Sequence, residues 1–202
     1  MNQNASPRCD TNSVVAAIQS LPFDILQTAF QGVASTEHII LPVPGAKPLE
    51  HVWDIFRFGD RLHKAFTRYY HTGECQPIFK PYAKALTDWL DNAAVGRLKT
   101  DWKYWARRGV PAGILDALMI GNGARRGVLE LKTTEGSGAT PRPAHLCQVG
   151  GYLHLQSAWD RTEMHDQWAI LAYACPLEQR WHLHEFQDIS RVIEPAVTLL
   201  AG

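Results

Sequence analysis

Asp116 stands inside an apolar run, Gly113-Ile114-Leu115-Asp116-Ala117-Leu118-Met119-Ile120, and Glu130 stands inside another, Val128-Leu129-Glu130-Leu131-Lys132. A carboxylate in such a setting is costly to bury unless something positive meets it. Strand alternation puts Glu130 and Lys132 on one face with Leu131 opposite, and a hairpin can bring Asp116 alongside Glu130. Two close carboxylates repel, and one of them is protonated unless a cation compensates. Oxygen ligands are what Mg²⁺ and Mn²⁺ prefer, often together with phosphate oxygens. A metal so held can activate water and stabilise the charge of a hydrolytic transition state. Lys132 would then orient or help deprotonate that water, or offset charge on a phosphate. The bland alternative for the same three residues is a structural ion pair on a half-exposed sheet.

The elements that would position these groups follow from periodicity and turn residues. Strands are expected at Ala112–Ile120 and Gly127–Thr133 around a turn at Gly121-Asn122-Gly123. Gly136–Pro143, rich in Gly and Pro, reads as a mobile loop. Ala144–Ala158 reads as a helix on which His145, Gln148 and Tyr152 share one face, expected to border a cleft. Gln167–Ala174 and Arg180–Phe186 read as two further strands, with His182 and His184 expected at the surface. Ile189–Leu200 is a last helix containing Pro195.

Upstream, residues 1–12 are expected to be a disordered tail. Ser13–Phe30 reads as one helix with Val14, Ile18, Leu21 and Ile25 on a stripe. Gly32–Leu49 is expected to be irregular with a short strand at His38–Leu41. His51–Tyr70 is a second helix, its stripe made by Ile55, Phe58, Leu62, Phe66 and Tyr69, and Pro81 opens a third through Leu90. In Arg97–Arg108, five basic residues interleave with Trp102, Tyr104 and Trp105. That pattern suits nucleic-acid binding or an amphipathic helix with buried aromatics. The expected class is α/β: a mixed central sheet flanked by helices, with a mainly helical part over 13–110 and a sheet core over 111–202 forming one domain.

The chain has 202 residues, 46% of them apolar, with 20 basic and 20 acidic side chains. Neutrality argues against coating nucleic acid by bulk charge, though not against a local basic groove. The four cysteines, Cys9, Cys75, Cys147 and Cys175, form no CxxC pair, which points to reduced thiols in a cytoplasmic protein rather than a zinc site. No stretch approaches the ~20 apolar residues of a membrane span.

Four short motifs occur in order. Gly59-Asp60-Arg61-Leu62-His63 matches GxxxH on a helix, Gly113-Ile114-Leu115-Asp116 matches GxxD, Glu130-Leu131-Lys132 matches ExK, and Gln148-Val149-Gly150-Gly151-Tyr152 matches QxxxY on the helix that follows. Together, over His51–Phe186, they resemble the RecB-like nuclease branch of the PD-(D/E)XK superfamily, which includes RecB-type, CRISPR adaptation and lambda-type exonucleases. The resemblance implies a restriction-endonuclease-like core. It also implies a Mg²⁺ or Mn²⁺ held by His63, Asp116, Glu130 and the Leu131 carbonyl, with Lys132 as the catalytic lysine. Gln148 and Tyr152 would line the site and contact the nucleic-acid backbone or hold the lysine; Arg142 and His145 are further candidates at its rim. Only Cys175 follows Tyr152, so no iron–sulfur cluster is expected.

The expected activity is hydrolysis of DNA phosphodiester bonds, as an exonuclease or end-processing enzyme in recombination, repair, phage biology or defence. The partners expected are DNA ends, with any helicase or recombination motor on a separate polypeptide and a homo-oligomer left open. Two rivals compete. One is an inactive nucleic-acid-binding or interaction module on the same fold. The other is an interaction protein in which the motifs arose by chance, with no sheet pairing between Asp116 and Glu130.

Overall fold

A computed structural model describes residues 13–47, 53–93, 95–121, 125–135 and 140–201, with backbone alone for 53–56. The tail over 1–12, residues 122–124 of the turn and the first half of the Gly136–Pro143 loop lie outside the described residues. The elements run α1 (Ser13–Gln19), α2 (Phe23–Ala29), β1 (Glu37–Pro42), α3 (Trp53–Thr72), α4 (Lys80–Asn92), β2 (Arg97–Tyr104), β3 (Gly113–Ile120), β4 (Arg126–Thr133), α5 (Pro143–Asp160), β5 (Gln167–Cys175), β6 (Arg180–Phe186) and α6 (Ser190–Ala201).

The six strands form one mixed sheet in the order β1-β6-β5-β4-β3-β2. Every pairing is antiparallel except β4 with β5, because α5 carries the chain across one face between those two strands, as parallel neighbours require. β5 is buried at all nine positions, and its continuous run Trp168-Ala169-Ile170-Leu171-Ala172 suits a strand covered on both sides. One face packs beneath α1, α2, α5 and α6, with Leu115, Val128, Leu171 and Tyr173 in that core. The other packs beneath α3 and α4, with Ala117, Leu129, Leu131 and Ile170. β3 and β4 are neighbours in the sheet, paired from Ala117–Leu129 to Ile120–Arg126, and this ladder stops one step short of Asp116 and Glu130.

Three expectations change. Ser13–Phe30 is two helices, not one, with Ser20 and Leu21 between them and Pro22 at the second N-cap. Proline lacks the N–H that would continue the first helix, and the break rotates the buried stripe: Val14 and Ile18 are buried, but Leu26 and Phe30 replace Ile25, which is exposed. Arg97–Tyr104 is an edge strand rather than an amphipathic helix. With β1 it gives the sheet two strands from the part expected to be mainly helical. His182 and His184 are buried rather than superficial. His182 Nδ1 lies 3.0 Å from His38 Nε2, and His184 Nδ1 lies 3.2 Å from the Ser35 hydroxyl. Pro195 lies within α6 without ending it.

Candidate active site

A local irregularity in the sheet sets Asp116 apart. The β2–β3 ladder runs from Arg97–Ile120 to Tyr104–Gly113 but skips the step at which Asp101 would face Asp116. Asp101 adopts a left-handed φ of 51°. Residues two apart on a regular strand share a face, yet Leu115 belongs to the core under α5 and Ala117 to the core under α3. The strand therefore rolls over at Asp116. On its other side β3 leaves β4 at the same place, since their pairing stops at Ala117–Leu129. The Leu131 N–H, left without a strand partner there, donates to Asp116 Oδ2 at 2.7 Å.

The second oxygen of Asp116 is taken by α3. His63 Nδ1 lies 2.8 Å from Asp116 Oδ1. A Cβ added at Gly59 would collide with Thr133 Oγ1, so the glycine of GxxxH lets the helix close on the end of β4, and His63 follows one turn later on that face.

Glu130 is 2% exposed and held from below by α5. Its Oε1 accepts from Lys132 Nζ at 2.7 Å and from Gln148 Nε2 at 2.5 Å. Gln148 Nε2 also donates to the Tyr152 hydroxyl at 2.9 Å. Glu130 Oε2 is buried with no hydrogen-bond partner. The ring of Tyr152 fits over β3 only because position 113 is glycine: a Cβ there would come within 2.5 Å of its Cε1. The glycine of GxxD thus makes room for the tyrosine of QxxxY.

The charges divide unevenly. Burial would raise the Asp116 carboxyl, but the His63 imidazole, Lys132 and the Leu131 N–H outweigh it and hold it below the ordinary carboxylate range. Burial and the neighbouring Asp116 charge push Glu130 up to about 7, against the pull of Lys132. Burial lowers Lys132 and His63, but the two carboxylates more than compensate, so both are raised. Glu130 thus keeps one bare oxygen beside a second, ionised carboxylate. That donor set, oxygen-rich with one imidazole and no thiolate, fits a hard divalent cation such as Mg²⁺ or Mn²⁺. Among the described residues, no three His, Cys, Asp or Glu side chains gather into a ready cage. His63 in particular has one ring nitrogen committed to Asp116.

Asp116, Leu131, Lys132 and His63 open onto a cleft of about 990 Å³. Gln148 and Tyr152, expected to line it, are buried at 6% and 0% exposure; Gln148 bonds Glu130 rather than the lysine, and Tyr152 bonds Gln148. Arg142 does line the cleft, its guanidinium 3.2 Å from Thr134 Oγ1. His145 does not; its Nδ1 lies 2.8 Å from the Tyr173 hydroxyl, which accepts from the Arg142 N–H at 3.0 Å. Burial, Lys132 and Arg142 push His145 down to about 3, which keeps it neutral.

The cleft also contains residues that motif reading passed over: Asp60, Lys64, Asp101, Thr133, Thr134 and Glu135. Thr133–Glu135 directly follow the ExK lysine and Asp60 lies inside GxxxH, so sequence proximity was a usable signal for them. Asp101 sits in the segment whose strand character was missed.

No protein-family model matches the chain, and no curated protein matches it. Among solved structures, the crystal structure of SSO0001 is similar over 91% of this chain and 83% of its own, at 18% identity and a TM-score of 0.35, too loose a likeness to carry an argument about fold or chemistry.

Proposed function

We propose that this chain is a Mg²⁺- or Mn²⁺-dependent deoxyribonuclease with a PD-(D/E)XK core, cleaving phosphodiester bonds at DNA ends. The observation that carries the reading is Glu130. It is a buried carboxylate with one oxygen clamped by Lys132 and Gln148, the other bare, and an ionised Asp116 as neighbour. In a purely structural ion pair that bare oxygen only lowers stability, by about 1–3 kcal/mol.

Asp116, Glu130 and the Leu131 carbonyl are the groups that would hold the metal, with His63 acting on it through Asp116. When bound, the metal would supply charge neutralisation at the phosphate and a water acidic enough to attack near neutral pH. The chain's own residues do the rest. His63 and the Leu131 N–H keep Asp116 charged and aimed. Gln148, itself bonded to Tyr152, anchors one oxygen of Glu130. Lys132 keeps its proton and presents an ammonium at the cleft wall, where it can orient a water or meet a phosphate oxygen. Arg142 offers a second cation on the same wall.

The test is incubation with 5′- and 3′-labelled single- and double-stranded DNA in Mg²⁺ or Mn²⁺, with EDTA as control. Metal-dependent loss of labelled ends supports the reading; cleavage that persists in excess EDTA overturns it. The alternative is an inactive nucleic-acid-binding module on the same fold. It predicts DNA binding without Mn²⁺ binding.

A further inference from the structure

Arg57, Arg61, Lys64 and Arg68 recur along α3 at i, i+4, i+7 and i+11. At 3.6 residues per turn they fall within an arc of about 60° and extend over about 16 Å of helix. All four are exposed. Their face is distinct from the one that carries Gly59 and His63 toward β4 and from the one that buries Phe58, Leu62 and Phe66.

Among the described residues, none of the four cations takes part in an ion pair. Asp60, on the flank of the stripe, lines the cleft without pairing to them. Like charges at i,i+3 and i,i+4 repel along a helix, so the stripe has a standing repulsion that an external anion would relieve. A chain with 20 basic and 20 acidic residues has concentrated part of its positive charge in one line.

The stripe is also connected to the cleft. Arg61, Lys64 and Arg68 border a second groove of about 410 Å³, with Ala65 and Phe79 in its floor. Lys64 borders both this groove and the cleft that holds Asp116 and Lys132. The two depressions therefore meet at one cation.

We propose that the outer face of α3 carries the phosphodiester backbone of a nucleic acid, holding the strand beyond the bond placed in the cleft. The proposal rests on the nuclease reading only for what the cleft does to that strand. A line of regularly spaced cations matches a polyanion with regularly spaced phosphates. The apolar floor suits the sugar and base faces of a single strand.

The experiment measures binding of a fluorescein-labelled single-stranded oligonucleotide, in Ca²⁺, across a KCl series. It compares wild type, the single variants Arg57→Gln, Arg61→Gln and Arg68→Gln, and the triple variant. Lys64 is left in place because it borders the cleft. Each lost contact should flatten the slope of log affinity against log salt by about 0.7, so the triple variant should lose about 2. The thermal midpoint should hold or rise as repulsion is removed; if the triple variant fails to fold, the single variants carry the same slope test. Coincident slopes overturn the proposal, and if wild type still cleaves DNA with Mg²⁺ the nuclease reading survives alone. Flattened slopes with no metal-dependent cleavage support the stripe and remove the nuclease reading. Loss of binding to phosphatidylserine vesicles without loss of oligonucleotide binding would assign the stripe to a membrane surface and overturn it.

Discussion

Lys132 and Glu130 separate chemistry from architecture at the scale of single residues. Lys132→Ala removes the ammonium at the cleft wall and leaves Asp116 and the Leu131 carbonyl in place. Cleavage should fall roughly 100-fold or more, as when a group that meets transition-state charge is deleted. Mn²⁺ affinity measured well above neutral pH should survive, whereas Asp116→Ala should lower both. Wild-type cleavage by Lys132→Ala would end the role assigned to the lysine. Glu130 makes a prediction about pH. Its carboxyl is raised from an ordinary 4.5 to about 7 in the metal-free fold, so the folded state favours the protonated form. Its contribution to stability is complete below pH 4.5 and is lost as pH rises through about 7, at about 1.4 kcal/mol for each unit of displacement. Glu130→Gln should remove that decline, giving a thermal midpoint in EDTA that is flatter between pH 4.5 and 7 than that of wild type. Parallel curves for the two proteins would show that Glu130 is not the group titrating.

His63 reaches Asp116 only because α3 approaches β4 at Gly59, and this places the next prediction at the scale of elements. Gly59→Ala should lower stability by about 1–3 kcal/mol, since the new Cβ collides with Thr133 Oγ1 in a packed contact, and it should weaken divalent-ion binding as the His63–Asp116 bond lengthens. Combining it with Thr133→Ala should recover part of both losses, a coupling that a double-mutant cycle in thermal unfolding would detect. Additive effects would mean that the two positions do not meet. The same elements show what the sequence made legible. β3, β4, β5 and β6 were readable because their apolar runs are bounded by turn residues. The ExK pair was readable because a charged pair inside an apolar strand must have a reason to be there. β2 was not legible as a strand because its aromatics and cations fit a helix as well, and its buried residues do not share a face: Leu98 lies in the core under α3 and Tyr104 in the core under α5. The break at Pro22 was visible as a proline and was overridden by the stripe. The burial of Gln148 and Tyr152 could not be read from spacing, because α5 is apolar almost all round and its polar pair faces the sheet. The roll of β3 at Asp116 leaves no mark in composition at all.

The whole molecule is two cores on either side of one sheet, and the candidate site is where they meet. α3 supplies His63 from one layer, α5 supplies Gln148 and Tyr152 from the other, and β3 and β4 supply the carboxylates between them. A cation bound there would tie both layers together, so Ca²⁺, expected to bind without turnover, should raise the midpoint of a single cooperative unfolding transition. The gain approaches about 2.7 kcal/mol when free ion is a hundredfold above its Kd. Asp116→Ala should abolish the shift, and a shift that persists in that variant would place the ion elsewhere.

The contact between Gly113 and the ring of Tyr152 also has a consequence for descent. The two positions are far apart in the chain but occupy one volume, so neither is free to vary alone. A lineage that acquires a side chain at 113 has to shrink the residue at 152, and with it lose the hydroxyl that accepts from Gln148. Among descendants of this chain, the two motifs should be inherited or abandoned as a pair, and a protein with a bulky residue at both positions should no longer hold its glutamate still.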